Sequence, residues 1–288
     1  MFDKNSILKP ESKVIEYKTW RGETKYVCET TFTSINHLMN YVENTPLNEN
    51  NRWGELSSSR RDYSGWYMTS NFEEALELLK NGYDAGTEEL RVKLKCETNQ
   101  DMQFVRKMCM DVVGFQPCVP NYLMGIPQNM FNQKLVAKKQ KIITLNKCVD
   151  YAGRVSAKEI LEYSVRTLRI IQELEKQGFA VNLNIVDGYS SGDQNEIIKI
   201  RIKNSNERLN LAKLAFPLLH PSMLRRIMFR YVEVSDTTLY RTQSKGAGSI
   251  GSCVGDYIYE TVLKEEHEVF LRRDLSERDM QETIKLQS

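Results

Sequence analysis

KIITLNKCVDYAGRVSAKEILEYSVRTLRIIQELEKQGFAVNLNIVDGYSSGDQNEIIKIRIK, residues 141–203, decides the fold. Ile142, Ile143 and Leu145 make a short apolar strand. Ser156 and Glu159 then stand three apart, the spacing of a capping box that opens a helix ending at Gly178. Leu161, Val165, Leu168, Ile171 and Leu174 advance by three or four and share one face, with Arg166, Arg169, Glu173 and Lys176 mostly off it. Beyond the helix, Val181, Leu183 and Ile185 alternate with Asn182 and Asn184, and residues 198–202 alternate apolar positions with Lys199 and Arg201. That period of two predicts two strands forming a hairpin, the second with a wet face near a sheet edge. Residues 204–234 continue into two short helices pinned by Pro217 and Pro221. The class is α/β, with a mixed sheet flanked by helices.

Working outward, the region before residue 134 reads as α+β. Residues 24–32 are rich in β-branched and aromatic side chains and predict a strand, and residues 34–43 predict a helix. Residues 45–62 combine Asn, Ser, Pro, Gly and charge, so a mobile loop is expected there. Ser70 and Glu73 form a second capping-box pair, ahead of a helix stopped by Gly82. Residues 87–113 suit a long helix, although Leu90, Val92 and Leu94 also alternate like a strand. Pro117, Pro120 and Pro127, with Gly114 and Gly125, predict an irregular, well-packed connector at residues 114–130. The units expected are 1–134, 135–245 and a C-terminal piece, 246–288, with a Gly-rich loop and a helical tail.

Composition bounds the function. The chain has 288 residues, 41% hydrophobic and 27% charged, enough for a substantial core. Its 40 Lys and Arg against 38 Asp and Glu leave a net charge of +2, so any nucleic-acid contact needs a local patch. The six cysteines are scattered with no C-x-x-C pair, as expected of a reduced, cytoplasmic protein with structural thiols. No segment has the length of a membrane span. No cofactor and no metal are expected, and the oligomeric state is unreadable.

The order β, long α, β, β, α resembles the opening of von Willebrand factor A-like domains, or more broadly a Rossmann-like core. In that superfamily a D-x-S-x-S motif after the first strand binds a divalent cation. Here LNKCVDYAGR offers Asp150 for its Asp but lacks both serines. Asp187, Ser190, Ser191 and Asp193 carry oxygen ligands, yet read first as a turn. The chain also resembles an uncharacterised family encoded by tailed bacteriophages and mobile elements. The residues carrying that likeness are SNFEEALELLKNG (70–82), DVVGFQPCVPNYLMGIPQNM (111–130) and LAKLAFPLLHPSMLRRIMFRYVE (211–233). It implies a viral or mobile-element origin and no catalytic residues.

Three local constellations remain. After Pro221, Leu224, Ile227, Met228 and Tyr231 make an apolar stripe, which turns Arg225, Arg226, Phe229 and Arg230 to the other side. Such a face either pairs with carboxylates of neighbouring elements, clamps phosphates of a nucleic acid while stacking a base, or meets a partner protein. Gly246, Gly248 and Gly251 spell G-x-G-x-x-G, with Asp274 beyond, but no good strand precedes them, so a nucleotide loop competes with a plain flexible one. Arg60, Arg61, Trp66, Thr69, Ser70 and Glu73 resemble the arginine, Ser-Thr-Ser strand and glutamate of ADP-ribosyltransferases. The leading expectation is a non-catalytic phage or mobile-element accessory protein in the host cytoplasm. It binds another phage or host protein, or nucleic acid, through the arginine helix with Arg60 and Arg61. A nucleotide- or dinucleotide-using enzyme, ADP-ribosyltransferase-like or a Gly-loop nucleotide binder and of a kind that could act against host defence, is the alternative.

Overall fold

The computed structural model describes residues 7–19, 21–48, 57, 67–94, 104–137, 141–149, 151, 155–191, 194–235, 252–253, 258–263, 265–271 and 282. Its centre is the unit expected from residues 141–203. Strand β6 (Ile142–Cys148) leads through helix α5 (Ala157–Lys176) to β7 (Ala180–Ser191), which lies parallel to β6. Helix α5 starts with both halves of the capping box in place, Ser156 Oγ accepting from the Glu159 amide and Glu159 accepting from the Ser156 amide. Strand β8 (Gln194–Lys203) then turns back antiparallel to β7.

The expected sheet edge is not at β8. The strand β2 (Thr24–Phe32) pairs with it in parallel, and β1 (Glu11–Lys18) closes that side antiparallel to β2. On the other side β10 (Glu268–Leu271) runs parallel to β6, giving the order β1-β2-β8-β7-β6-β10, and the short β9 (Ser252–Cys253) pairs with β7. Strands from all three parts of the sequence thus share one mixed sheet.

One face of this sheet carries the large core. Phe32, Ile143, Leu145, Leu183, Ile185, Ile198 and Ile200 point to it and meet the helices. Those helices are α1 (Ile35–Asn44), α2 (Phe72–Asn81), α3 (Asp84–Leu94), α5 and α6 (Leu211–Leu219). A π-helical segment, Met223–Met228, follows and continues into α7 (Phe229–Val234). The opposite face is apolar only at one end, where Val27, Val186 and Ile197 are covered by Ile258, Tyr259 and Leu263. Elsewhere it carries Glu29, Lys199, Asn146 and Asn184.

Three local expectations are corrected. The cap of α2 is Asn71, whose side chain accepts from the Glu74 amide, while the Ser70 amide donates to Glu74 Oε2 at 2.6 Å. The capping chemistry therefore sits one residue later than Ser70 and Glu73, with Asn71 and Glu74 as its pair. Residues 87–113 divide between α3 and strand β3 (Phe104–Asp111). The proline-rich stretch is not packed inside. It belongs to a second, three-stranded antiparallel sheet, in which β5 (Met130–Ala137) lies between β3 and the two-residue β4 (Gln116–Pro117), with the short helix α4 (Val119–Leu123) in the connection.

Candidate functional site

The arginine helix is interior. Arg225 and Arg226 are 2% and 1% exposed, and Phe229 and Arg230 are half-buried, so they form no solvent-facing patch. The reason is local geometry: residues 223–228 bond in the i to i+5 pattern, and the wider turn rotates positions that an α-helical wheel places outside toward the protein. Arg226 becomes a clamp. Nη1 donates to Ser57 O at 2.7 Å, Nη2 donates to Thr69 O at 2.9 Å and Ser70 O at 3.2 Å, and the guanidinium lies 3.8 Å from the centre of the Tyr67 ring. Glu233, one turn beyond Arg230, accepts from the Ser57 amide at 2.7 Å and stands 3.7 Å from Arg230 Nη1. Burial presses Arg225 down to about 10, still a cation at neutral pH, and its Nη2 reaches Val155 O at 3.5 Å.

Two of the transferase-like residues, Thr69 and Ser70, belong to the same clamp. Thr69 and Ser70 give their carbonyls to Arg226, and Thr69 Oγ1 is 2.7 Å from Ser222 Oγ. Arg60, Arg61 and Trp66, like Gly246, Gly248, Gly251 and Asp274, lie outside the described residues, as does most of the 45–62 loop. His220 caps the C-terminus of α6. It stacks on Phe216 with ring centroids 4.8 Å apart, and burial lowers its pKa to about 4.

The oxygen ligands singled out in the sequence do not gather into an ion site among the described residues. Asp187 is inside β7 with the Tyr189 hydroxyl donating to its Oδ2, Asp150 and Asp193 lie outside the described residues, and no cluster of three or more His, Cys, Asp or Glu suits an ion among the described residues. Nor is any helix there long and apolar enough to cross a membrane.

The surface that sequence reasoning missed is the tip of the small sheet. Val112, Val113, Phe115, Val119, Tyr122, Leu123, Met124 and Ile126 are all exposed, Leu123 at 77%. From residue 112 to residue 133 there is no Asp, Glu, Lys or Arg. The tip is nevertheless a fixed shape. The amides of Phe115 and Cys118 donate to Phe131 O at 2.9 Å and Asn129 O at 2.7 Å, and the Ile126 amide donates to Asn121 O at 2.9 Å. Asn121 Nδ2 donates to Gln128 O at 3.1 Å. Gly114 is required there, since a Cβ at that position would sit 2.1 Å from Phe131 O. Charge begins only at the stem, where Lys134 Nζ pairs with Asp111 at 2.6 Å. None of the described side chains of this sheet enters either buried cluster of the main body. The absence of charge over 22 residues was the available signal, hidden by prolines that suggest a packed connector.

No curated protein and no solved structure matches the chain. The model of one family matches residues 14–284, nearly the whole length, and the chain belongs to that family, a domain of unknown function (DUF7192).

Proposed function

We propose that this protein is a binding protein that docks on another protein through the charge-free tip at residues 112–133. The observation that carries the reading is the set of eight exposed apolar side chains on a hydrogen-bonded frame. Water-exposed apolar surface of that density is unfavourable for an isolated chain and is recovered by burial against a partner. Interface cores are enriched in aromatic, Met and aliphatic groups and depleted of charge, which is the composition here. A frame already fixed by Gly114 and the cross-strand bonds also reduces the ordering cost of association. Phosphate contact is disfavoured at a surface without a cation, and the buried Arg225 and Arg226 take no part in docking. The likeness to proteins of tailed bacteriophages supports a viral or mobile-element setting, with a phage or host protein as the partner.

A photo-crosslinking amino acid at Leu123 in producing cells tests this reading. One dominant adduct is expected, absent when Phe115→Ser is combined with Leu123→Asp and absent from a control crosslinker at Lys213. Adducts unaffected by the double substitution, or co-sedimentation with lipid vesicles in place of a protein adduct, refute it. Loss of two central apolar anchors weakens such interfaces by roughly 2 kcal/mol or more.

A further inference from the structure

On the face of the main sheet opposite the helices lies a cleft of about 450 Å³ lined mainly by polar and charged residues. We infer that this cleft binds a small zwitterion, its ammonium end held by Glu29 and its anionic end by Arg201. The strand period of two makes the wall. Lys199 and Arg201 point the same way from β8, Glu29 points there from β2, Lys13 from β1, and Glu268 from β10.

These charges are not a solvated surface. Lys199 is 5% exposed and Glu29 4% exposed, a placement that sacrifices hydration for both ions. A single chain of contacts fixes them. Arg201 Nε donates to Asn184 Oδ1 at 2.5 Å, Asn184 Nδ2 to Asn146 Oδ1 at 2.7 Å, and Asn146 Nδ2 to Glu268 Oε2 at 3.2 Å. The same Glu268 oxygen accepts from Lys199 Nζ at 3.1 Å, and Lys199 in turn stands 3.5 Å from Glu29 Oε1. Lys13 approaches that oxygen at 3.5 Å from the other side.

Two groups at the ends of this chain are left with unused capacity. Glu29 Oε2 is buried and accepts no hydrogen bond from the described residues. Arg201, half-buried and held at Nε alone, has both terminal nitrogens unengaged by them. A buried acceptor without a donor is costly, and a guanidinium fork with its stem fixed is arranged for a planar anion. One orphaned acceptor and one fixed fork in a single cleft match a molecule bearing both an ammonium and a carboxylate, such as an amino acid or a dipeptide. The wall as a whole carries four carboxylates and three cations, near balance, which disfavours ligands of a single charge sign. A metal ion is disfavoured because Lys13 and Lys199 occupy the spaces between the carboxylates, and no ion-binding cluster of acidic, His or Cys groups occurs among the described residues.

Isothermal calorimetry and thermal unfolding of the whole protein, with the free α-amino acids and glycylglycine as probes, test the assignment. Spermidine and inorganic phosphate serve as single-sign controls. At least one zwitterion should bind saturably and raise the melting temperature. Arg201→Gln, at a half-buried site, should weaken that binding at least tenfold while leaving the unliganded melting curve in place. Lys13→Gln, an exposed partner of Glu29, gives a second variant that folds, with a smaller loss of affinity expected. No heat with any zwitterion, a shift from spermidine or phosphate alone, or wild-type affinity in Arg201→Gln would overturn the inference. None of these results bears on the tip, which belongs to a different sheet.

Discussion

Arg226 shows how one side chain can hold an irregular segment to a body. Its fork satisfies three carbonyls on residues 57, 69 and 70, and its plane covers Tyr67, next to Met68 in a left-handed conformation at φ 59°. A lysine brings one compact ammonium in place of the planar five-donor fork and cannot lie flat on a ring. Arg226→Lys and Arg226→Ala should both lose about 2 to 4 kcal/mol in urea unfolding, because buried acceptors are left without donors. Arg230→Ala removes a longer contact, 3.7 Å to Glu233, at a half-buried site and should cost much less. Equal losses for the two positions would contradict the clamp. The sequence could not reveal this role, since an α-helical wheel drawn through residues 223–230 places the arginines outside, and nothing in the residue types announces the wider turn.

Among the elements, the small sheet has the clearest independence. Phe104 and Ala137 are paired Cα partners at its base, so its two ends are neighbours and a short Gly-Ser linker can join the flanking chain. Replacing residues 104–137 in this way should move the melting temperature of the body by no more than about 3 °C, equivalent to about 1 kcal/mol for a protein of this size. Calorimetry decides it, and a fall several times larger would mean that the sheet is part of the core. The elements differ in how legible they were. The β6, α5 and β7 unit could be read because its periodicity, its capping box and its turn lie within one short stretch. The position of β8 could not, because its second neighbour, β2, lies some 170 residues earlier, and the alternation in β8 says only that one face is polar. The same alternation marked Lys199 and Arg201 as wet, and it takes the sheet order to turn wet into the wall of a cleft. The tip was misread for a different reason: Pro, Gly and apolar residues describe irregular backbone equally well whether it is buried or exposed.

At the scale of the whole molecule, the helix-covered side of the sheet buries an amine with no carboxylate beside it among the described residues. Lys147 is completely inaccessible at the C-terminal end of β6. Its Nζ donates to Tyr151 Oη at 2.6 Å and lies 4.5 Å from the centre of the Tyr163 ring. Burial lowers its pKa from 10.5 to about 7. Between those values the unfolded chain holds a proton that the folded chain does not, so stability rises with pH across that window. The penalty is absent above pH 10.5, grows as pH falls, and is complete below pH 7, where it reaches roughly 5 kcal/mol. Lys147→Met removes the titrating group while keeping an unbranched apolar stem in the same space. Urea midpoints at pH 7, 8 and 9 should therefore climb more steeply in the parent than in the variant. Cysteine and tyrosine ionisations in the same range, such as that of Cys28, whose pKa burial raises, are common to both proteins and cancel in the difference. The variant should also be the more stable of the two at pH 7, since a buried charge is exchanged for an apolar group. Parallel curves for the two proteins would show that Lys147 keeps its proton in the folded state, and a partner for that charge would then have to exist beside Tyr151.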